Sequence, residues 1–311
     1  MKQTTDLRIT PKRLGLIEVE TFCERCFWYR LHLKFREPFS FFGGAIFKNM
    51  EQAEMAIIGA FLEKDGELPK EFAPFCDVVG RVEYPRHWTK YKYVLDSGVE
   101  LYGEPDDVFE FADGTIAVID HKTAQAKGDG DPLLPCYEIQ VTGYALIAEF
   151  GLLLGEVSKG GLLYWSANHE TVIAEPDKFY RGQKLWMPFS PKTHPIEIDY
   201  KRLDAPLKQA VELWEATTPP ARSEKCQDCK KFDALLAIEA EVQTQLNLND
   251  QIVLSGAGNS QWAREYVKQR VFVDTSARSA ALRDLLDETG DFTFARDGVM
   301  ANWEVGYDGG F

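Results

Sequence analysis

Apolar residues recur at helical spacing over residues 13–33 and again over 44–63, which predicts two helices ahead of a strand-rich centre running from about residue 78 to 122. In that centre Phe109-Glu110-Phe111 and Ile116-Ala117-Val118 flank Asp113-Gly114, a dipeptide suited to a tight turn, so residues 109–118 read as a hairpin. Ile139, Gly143, Leu146, Ile147 and Phe150 share one side of residues 137–150, predicting an amphipathic helix packed on the sheet. Strands are expected near 161–165 and 171–174, then a helix over 203–216 that Thr217-Thr218-Pro219-Pro220 terminates. Helices and strands interleave into a mixed α/β core over residues 1–232. Beyond it, 232–246 suggests a helix and 255–260 a flexible connection. Ala277, Ala281, Leu282, Leu285 and Leu286 suggest another amphipathic helix, and 292–305 a hairpin about Asp297-Gly298. Residues 233–311 therefore read as an α+β appendage.

Polar residues interrupt the core pattern in one informative run: Gly103-Glu104-Pro105-Asp106, then Ile119-Asp120-His121-Lys122-Thr123, then Gln140 and Tyr144 four residues apart. The spacing suits metal-dependent cleavage of a phosphodiester. That reaction needs a hard divalent cation, Mg²⁺ or Mn²⁺, held by one or two carboxylates, and Asp106 and Asp120 are the candidates. Residues two apart on a strand share a face, so Asp120 and Lys122 point into one cleft, where an ammonium can position and help deprotonate a metal-activated water. His121 then faces away, and its backbone carbonyl rather than its ring is the expected metal contact. An ideal two-residue turn at Asp113-Gly114 sets Asp107, not Asp106, opposite Asp120, whereas a bulge or longer turn restores Asp106. Asp106 is preferred, with Asp107 in reserve. Gln140 and Tyr144 lie one above the other on their helix, placing an amide and a phenol to orient Lys122 or the nucleic-acid backbone.

Two CxxC pairs, Cys23/Cys26 and Cys226/Cys229, bracket this run and read as one four-cysteine metal site. Cys76 and Cys136 have no such spacing and read as ordinary thiols.

On these motifs the sequence resembles the RecB-like nucleases of the PD-(D/E)xK superfamily, particularly the AddB nuclease domain and the CRISPR-associated spacer-acquisition exonucleases. The likeness spans about residues 14–232. It includes Cys26-Phe27-Trp28-Tyr29-Arg30, the acidic run, Gln140 to Tyr144, Gly161-Leu162-Leu163-Tyr164-Trp165 and Pro219-Pro220. The resemblance implies a restriction-endonuclease-like core, a mixed central sheet flanked by helices, with Asp106, Asp120 and Lys122 at the catalytic centre. It also implies that Cys23, Cys26, Cys226 and Cys229 bind a [4Fe-4S] cluster. Relatives often carry a G-x-x-x-H helix, but Gly44-Ala45-Ile46-Phe47-Lys48 has lysine at the last position, so that metal-binding histidine is absent. Glu51, a turn further on, offers a carboxylate or sits on the solvated face, the preferred reading; Lys48 is a candidate phosphate contact. Cluster-bearing relatives usually divide their cysteines one and three. Two and two is equally the spacing of a structural Zn²⁺ site.

The chain has 311 residues, 45% of them hydrophobic, enough for a substantial core. No apolar run reaches membrane-spanning length, no signal-peptide core follows Met1, and the cysteine usage suits a reducing compartment, so cytoplasm is the expected location. A net charge of −14 argues against a passive nucleic-acid binder, though not against a nuclease whose metal ions invert the sign of an acidic centre. Arg81, Arg86, Lys90 and Lys92 fall among Tyr84, Trp88, Tyr91 and Tyr93, either to stack bases and hold phosphates or to form an edge strand with aromatic core contacts. The expected function is a metal-dependent deoxyribonuclease, an exonuclease or end-trimming enzyme, acting on DNA that is single-stranded or has free ends. The appendage is a candidate site for a protein partner. The alternative is a catalytically weakened nucleic-acid-binding or assembly protein retaining the fold. A purely structural zinc protein leaves the acidic motif unexplained.

Overall fold

The computed structural model describes residues 5–33, 44–84, 87, 90–234 and 237. The chain divides into two compact units, Met1–Glu224 and Lys225–Phe311. The elements expected beyond residue 237 lie outside the described residues.

In chain order the elements are β1 (Arg8–Ile9), α1 (Pro11–Leu14), α2 (Glu24–His32), α3 (Gly44–Asp65), β2 (Val78–Arg81), β3 (Lys92–Val94), β4 (Glu100–Tyr102), β5 (Asp107–Phe111), β6 (Ile116–Lys122), α4 (Leu134–Leu146), β7 (Val157–Ala167), α5 (His169–Ala174), α6 (Pro176–Phe179), β8 (Tyr180–Arg181), β9 (Lys184–Leu185), β10 (Phe189–Ile196) and α7 (Asp204–Glu215). The main sheet has five strands in the order β10-β7-β6-β5-β2, and a three-stranded sheet, β1-β4-β3, lies apart from it. β6 and β7 run parallel, with α4 in the crossover between them, while the other pairs of the main sheet are antiparallel. This is a mixed sheet flanked by helices.

β6 explains the arrangement from its sequence. Ile116-Ala117-Val118-Ile119 is an unbroken apolar run, as a central strand covered on both faces requires. Alternation divides it: Ile116 and Val118 join the core that includes Ile139, Val141 and Ala145 of α4, while Ala117 and Ile119 join the core that includes Ile58 of α3, Phe72 and Phe75. β7 repeats the division, with Leu162 and Tyr164 in the first core and Leu163 and Trp165 in the second.

Three expected elements differ. The helix expected over 13–33 is broken into α1, a 3-10 turn over Gly15–Glu18 and α2, with Val19 extended between them. Gly15 itself keeps helical φ/ψ and lies so close to α4 that a Cβ there would stand 2.3 Å from the Cys136 carbonyl oxygen, so only glycine fits; the helical path is lost at Val19. Residues 171–174, expected as a strand, belong to the short helix α5, because the Asn168 side chain caps it by accepting the Thr171 N–H at 3.1 Å. α4 starts at Leu134, ahead of the expected 137, and ends in a π-helical turn over Ile147–Gly151.

The basic and aromatic stretch is used internally. Tyr91 is fully buried and donates its hydroxyl to the Tyr144 carbonyl at 3.1 Å; Tyr84 donates to the Pro105 carbonyl at 2.8 Å. Lys92 pairs with Glu100 at 3.1 Å. Stacking of bases on Tyr84 and Tyr91 is excluded by burial; Arg86 and Trp88 lie outside the described residues. No described helix is long and apolar enough to cross a membrane.

Candidate active site

The hairpin's turn decides which acid faces which. The connection is the three-residue Ala112-Asp113-Gly114, not a two-residue turn: the Phe111 N–H donates to the Thr115 carbonyl at 2.9 Å and Gly114 takes φ +82°, where a Cβ is disfavoured. The Asp113 carboxylate holds the turn by accepting the Thr115 N–H at 2.9 Å and its hydroxyl at 2.8 Å. In the resulting register Asp107 faces Ile119 and Val108 faces Val118. Continuing it sets Asp106 opposite Asp120, on the same sheet face as Val108 and Val118, and sends Asp107 to the other face.

On the first face the structure brings together Asp106, Asp120, Lys122, Gln140 and Tyr144. Lys122 Nζ contacts Asp120 Oδ2 and donates to Gln140 Oε1 at 3.1 Å, and it lies 4.3 Å from the centre of the Tyr137 ring. Gln140 Nε2 donates to Asp120 Oδ1 at 2.6 Å and to the Tyr144 hydroxyl at 3.4 Å. The amide of Gln140 therefore reads both members of the Asp120–Lys122 pair, one through each end. The Asp106 carboxylate accepts the His121 backbone N–H at 2.5 Å. Burial and the neighbouring Asp120 push Asp106 up to about 8. Burial pushes the Lys122 ammonium down, but Asp120 beside it more than offsets this, and its pKa is raised. Burial likewise holds the Tyr144 phenol well above its ordinary range.

Two close carboxylates in a buried cleft with one ammonium carry excess negative charge. This donor set, oxygens only and electrostatically strained without a cation, fits a hard divalent metal. Glu51, exposed on α3, adds to the negative field that raises Asp106. Lys48 is also exposed.

The second face of the same strands carries a different polar group. Asp107 is fully buried, with Arg81 Nε at 2.6 Å and His121 Nε2 at 3.1 Å; both are close ion contacts rather than well-aligned hydrogen bonds. Glu54 of α3 is buried too, 3.7 Å from His121 Nδ1, and accepts the Thr123 hydroxyl at 2.9 Å. Burial pushes the His121 imidazole down, but Asp107 and Glu54 outweigh it and bring it up to about 9. On its other side the Trp165 Nε1–H is directed at His121 Nδ1 at 3.4 Å. Two carboxylates and two cations balance on this face. Arg81 also donates to the Met55 carbonyl at 2.9 Å, so the group ties α3 to the strands that bear Asp106 and Asp120. Sequence reasoning missed Glu54. Its signal was the stripe Glu54, Ile58, Phe61, Leu62, which puts a carboxylate on the buried side of the helix.

The four paired cysteines are distinct in their surroundings from the other two. Cys23 precedes α2, Cys26 lies within it, and the Cys229 N–H points at Cys226 Sγ at 3.4 Å. Cys23 and Cys26 in the first unit and Cys226 and Cys229 in the second make two pairs of thiols, a donor set compatible with zinc or an iron-sulfur cluster. Cys136 instead is buried, with its thiol pushed up to about 11 by desolvation and directed at the Lys12 carbonyl at 3.6 Å, and is chemically inert.

A mixed sheet with two acids and a lysine converging at the end of a central strand defines a metal-dependent nuclease fold. The chain matches the PD-(D/E)XK nuclease superfamily over residues 23–231, and it belongs to that superfamily. Members are generally nucleases that act on nucleic acid with divalent metals. Among solved structures, "Crystal structure of SSO0001" is similar at 15% identity and a TM-score of 0.34, covering 70% of this chain and 80% of that one. No curated protein matches the chain.

Proposed function

We propose that the protein is a Mg²⁺- or Mn²⁺-dependent deoxyribonuclease, an exonuclease or end-trimming enzyme, with Asp106, Asp120, Lys122, Gln140 and Tyr144 at its centre. The observation that carries this reading is the register of β5 against β6, which sets Asp106 across from Asp120 with Lys122 on the same face. Asp106, Asp120 and the His121 carbonyl would hold the cation; Asp107, committed to Arg81 and His121, serves structure instead. A divalent ion bound there supplies Lewis acidity toward the phosphate and lowers the pKa of a bound water. Lys122, held as a cation beside Asp120, would position a metal-activated water and offset charge on the scissile phosphate. Gln140 fixes the Lys122 ammonium and the Asp120 carboxylate relative to one another, and Tyr144 fixes Gln140. The preference for ends rests on the likeness of motif order to AddB-type and CRISPR-associated spacer-acquisition exonucleases.

Cys23, Cys26, Cys226 and Cys229 bind one structural centre apart from hydrolysis, a [4Fe-4S] cluster in preference to Zn²⁺, in a cytoplasmic protein. Residues 233–311 are read as a C-terminal extension and are the candidate segment for a protein partner. Digestion of end-labelled single- and double-stranded DNA with Mg²⁺, Mn²⁺ or EDTA tests the activity and reads its polarity. Lys48 at the position where relatives often have histidine favours a second reading, a weakened nuclease acting as a nucleic-acid-binding scaffold. Binding without cleavage under every metal condition would select it.

A further inference from the structure

Between β7 and β10 the chain leaves the sheet for an excursion, α5, α6 and the β8–β9 hairpin. Its root is at the active-site end of the sheet. Lys122 pairs with Tyr164, and β7 runs on from there to Ala167, where the Gln125 side chain donates to the Ala167 carbonyl at 2.8 Å. Asn168 N–H closes the neck on the Pro188 carbonyl at 2.9 Å. The hairpin turns through Gly182 and Gln183, both at positive φ (56° and 63°), the geometry of a two-residue type I′ connection.

Pairing decides what each face of this hairpin carries. Tyr180 faces Leu185 and Arg181 faces Lys184. Residues directly opposite share a face and successive residues alternate, so Tyr180 and Leu185 occupy one side, while Arg181 and Lys184 join Phe179 and Trp186 on the other. That second side forms a shallow, open groove of about 620 Å³, lined by Lys178, Phe179, Arg181, Gly182, Lys184 and Trp186. Trp186 is 60% exposed, a large ring left in water. Lys178 pairs with Glu175, but among the described residues neither Arg181 nor Lys184 is paired with a carboxylate.

We propose that this groove binds a stretch of single-stranded nucleic acid leading into the cleft, with bases stacked on Trp186 and Phe179 and phosphates held by Arg181, Lys184 and Lys178. The inference deepens the nuclease reading and rests on it for the identity of the polyanion. Charge complementarity selects this occupant: three cations converge on a chain whose net charge of −14 otherwise repels phosphate. The interleaved rings supply sequence-tolerant stacking, as an unspecific strand guide needs. A protein or membrane partner would use the apolar Tyr180/Leu185 side as readily.

The test is fluorescence anisotropy of a labelled oligothymidylate with the full-length chain in EDTA, so that no cleavage intervenes. Trp186→Ala should weaken binding roughly tenfold and Trp186→Tyr should restore most of it. Arg181→Gln and Lys184→Gln should each weaken binding and lower the slope of log affinity against log salt by about 0.7. Tyr180→Ala, on the opposite side, should bind as wild type. The proposal is overturned if wild type does not bind, if the groove variants bind as wild type, or if Tyr180→Ala loses as much as Trp186→Ala, the mark of a general apolar docking surface. Groove-dependent binding by a protein that cleaves nothing with Mg²⁺ or Mn²⁺ would keep the groove and reject the nuclease. Cleavage with unaltered binding in the groove variants would do the reverse.

Discussion

Replacing two adjacent aspartates should have opposite consequences, because successive strand residues face different surroundings. Asp107 is fully buried between Arg81 at 2.6 Å and His121 at 3.1 Å. Asp107→Ala leaves both cations facing a cavity, and removing one partner of a buried ion pair costs about 3–5 kcal/mol. At roughly 2–4 °C per kcal/mol for a domain of 150–250 residues, the melting midpoint falls by roughly 6–20 °C. Asp106 stands against Asp120 and is pushed up to about 8 by burial and that neighbour, so in the metal-free protein folding must hold a proton there that the unfolded chain releases, which opposes folding near neutral pH. Asp106→Asn, which removes that titration, should therefore raise metal-free stability near neutral pH, while cutting cleavage roughly 10³-fold through loss of several kcal/mol of metal-mediated charge stabilisation. Thermal denaturation in EDTA and digestion with Mn²⁺ measure the two effects. If Asp107→Ala melts within a degree of wild type, or Asp106→Asn is the more destabilised of the two, the assignment of the two carboxylates to opposite faces fails.

Lys122→Ala should abolish cleavage yet retain DNA binding, and Gln140→Ala, which releases both Asp120 and Lys122, should lower kcat about 10–100-fold; near wild-type rates for either would remove them from the centre. The raised folded-state pKa of Asp106 means the fold binds its proton more tightly than the unfolded chain, so in EDTA its contribution to stability falls as pH rises from about 4 to about 8. His121, raised to about 9, adds the same sign above its ordinary range, so the comparison of wild type with Asp106→Asn isolates the carboxyl, at up to about 1.4 kcal/mol per pH unit; parallel stability–pH curves would refute it. Anaerobically purified protein should be brown with matching iron and sulfide, colourless stoichiometric zinc selecting the alternative; a metal-free protein whose stability ignores Cys26→Ser and Cys229→Ser would refute both.

Much of the candidate site's face was legible in the chain because strand alternation is local physics. Once Ile116-Ala117-Val118-Ile119 reads as a strand, Asp120 and Lys122 must share a side and His121 must take the other. The cysteine spacing was equally local. What the pattern left open was the partner strand: a two-residue and a three-residue turn at Asp113-Gly114 suit the same sequence, and one residue of slip exchanges Asp106 for Asp107 across the sheet. Tertiary structure decided it, with Asp107 buried against Arg81 and His121. Burial also turned Tyr84 and Tyr91 from candidate base stackers into core residues, since exposure depends on what a strand packs against and not on its composition. Gly15 shows the converse, a position where α4, more than a hundred residues away, approaches so closely that no side chain fits. Local periodicity fixes which residues share a face; only packing selects what that face meets, because the contacts that do so join segments far apart in the chain.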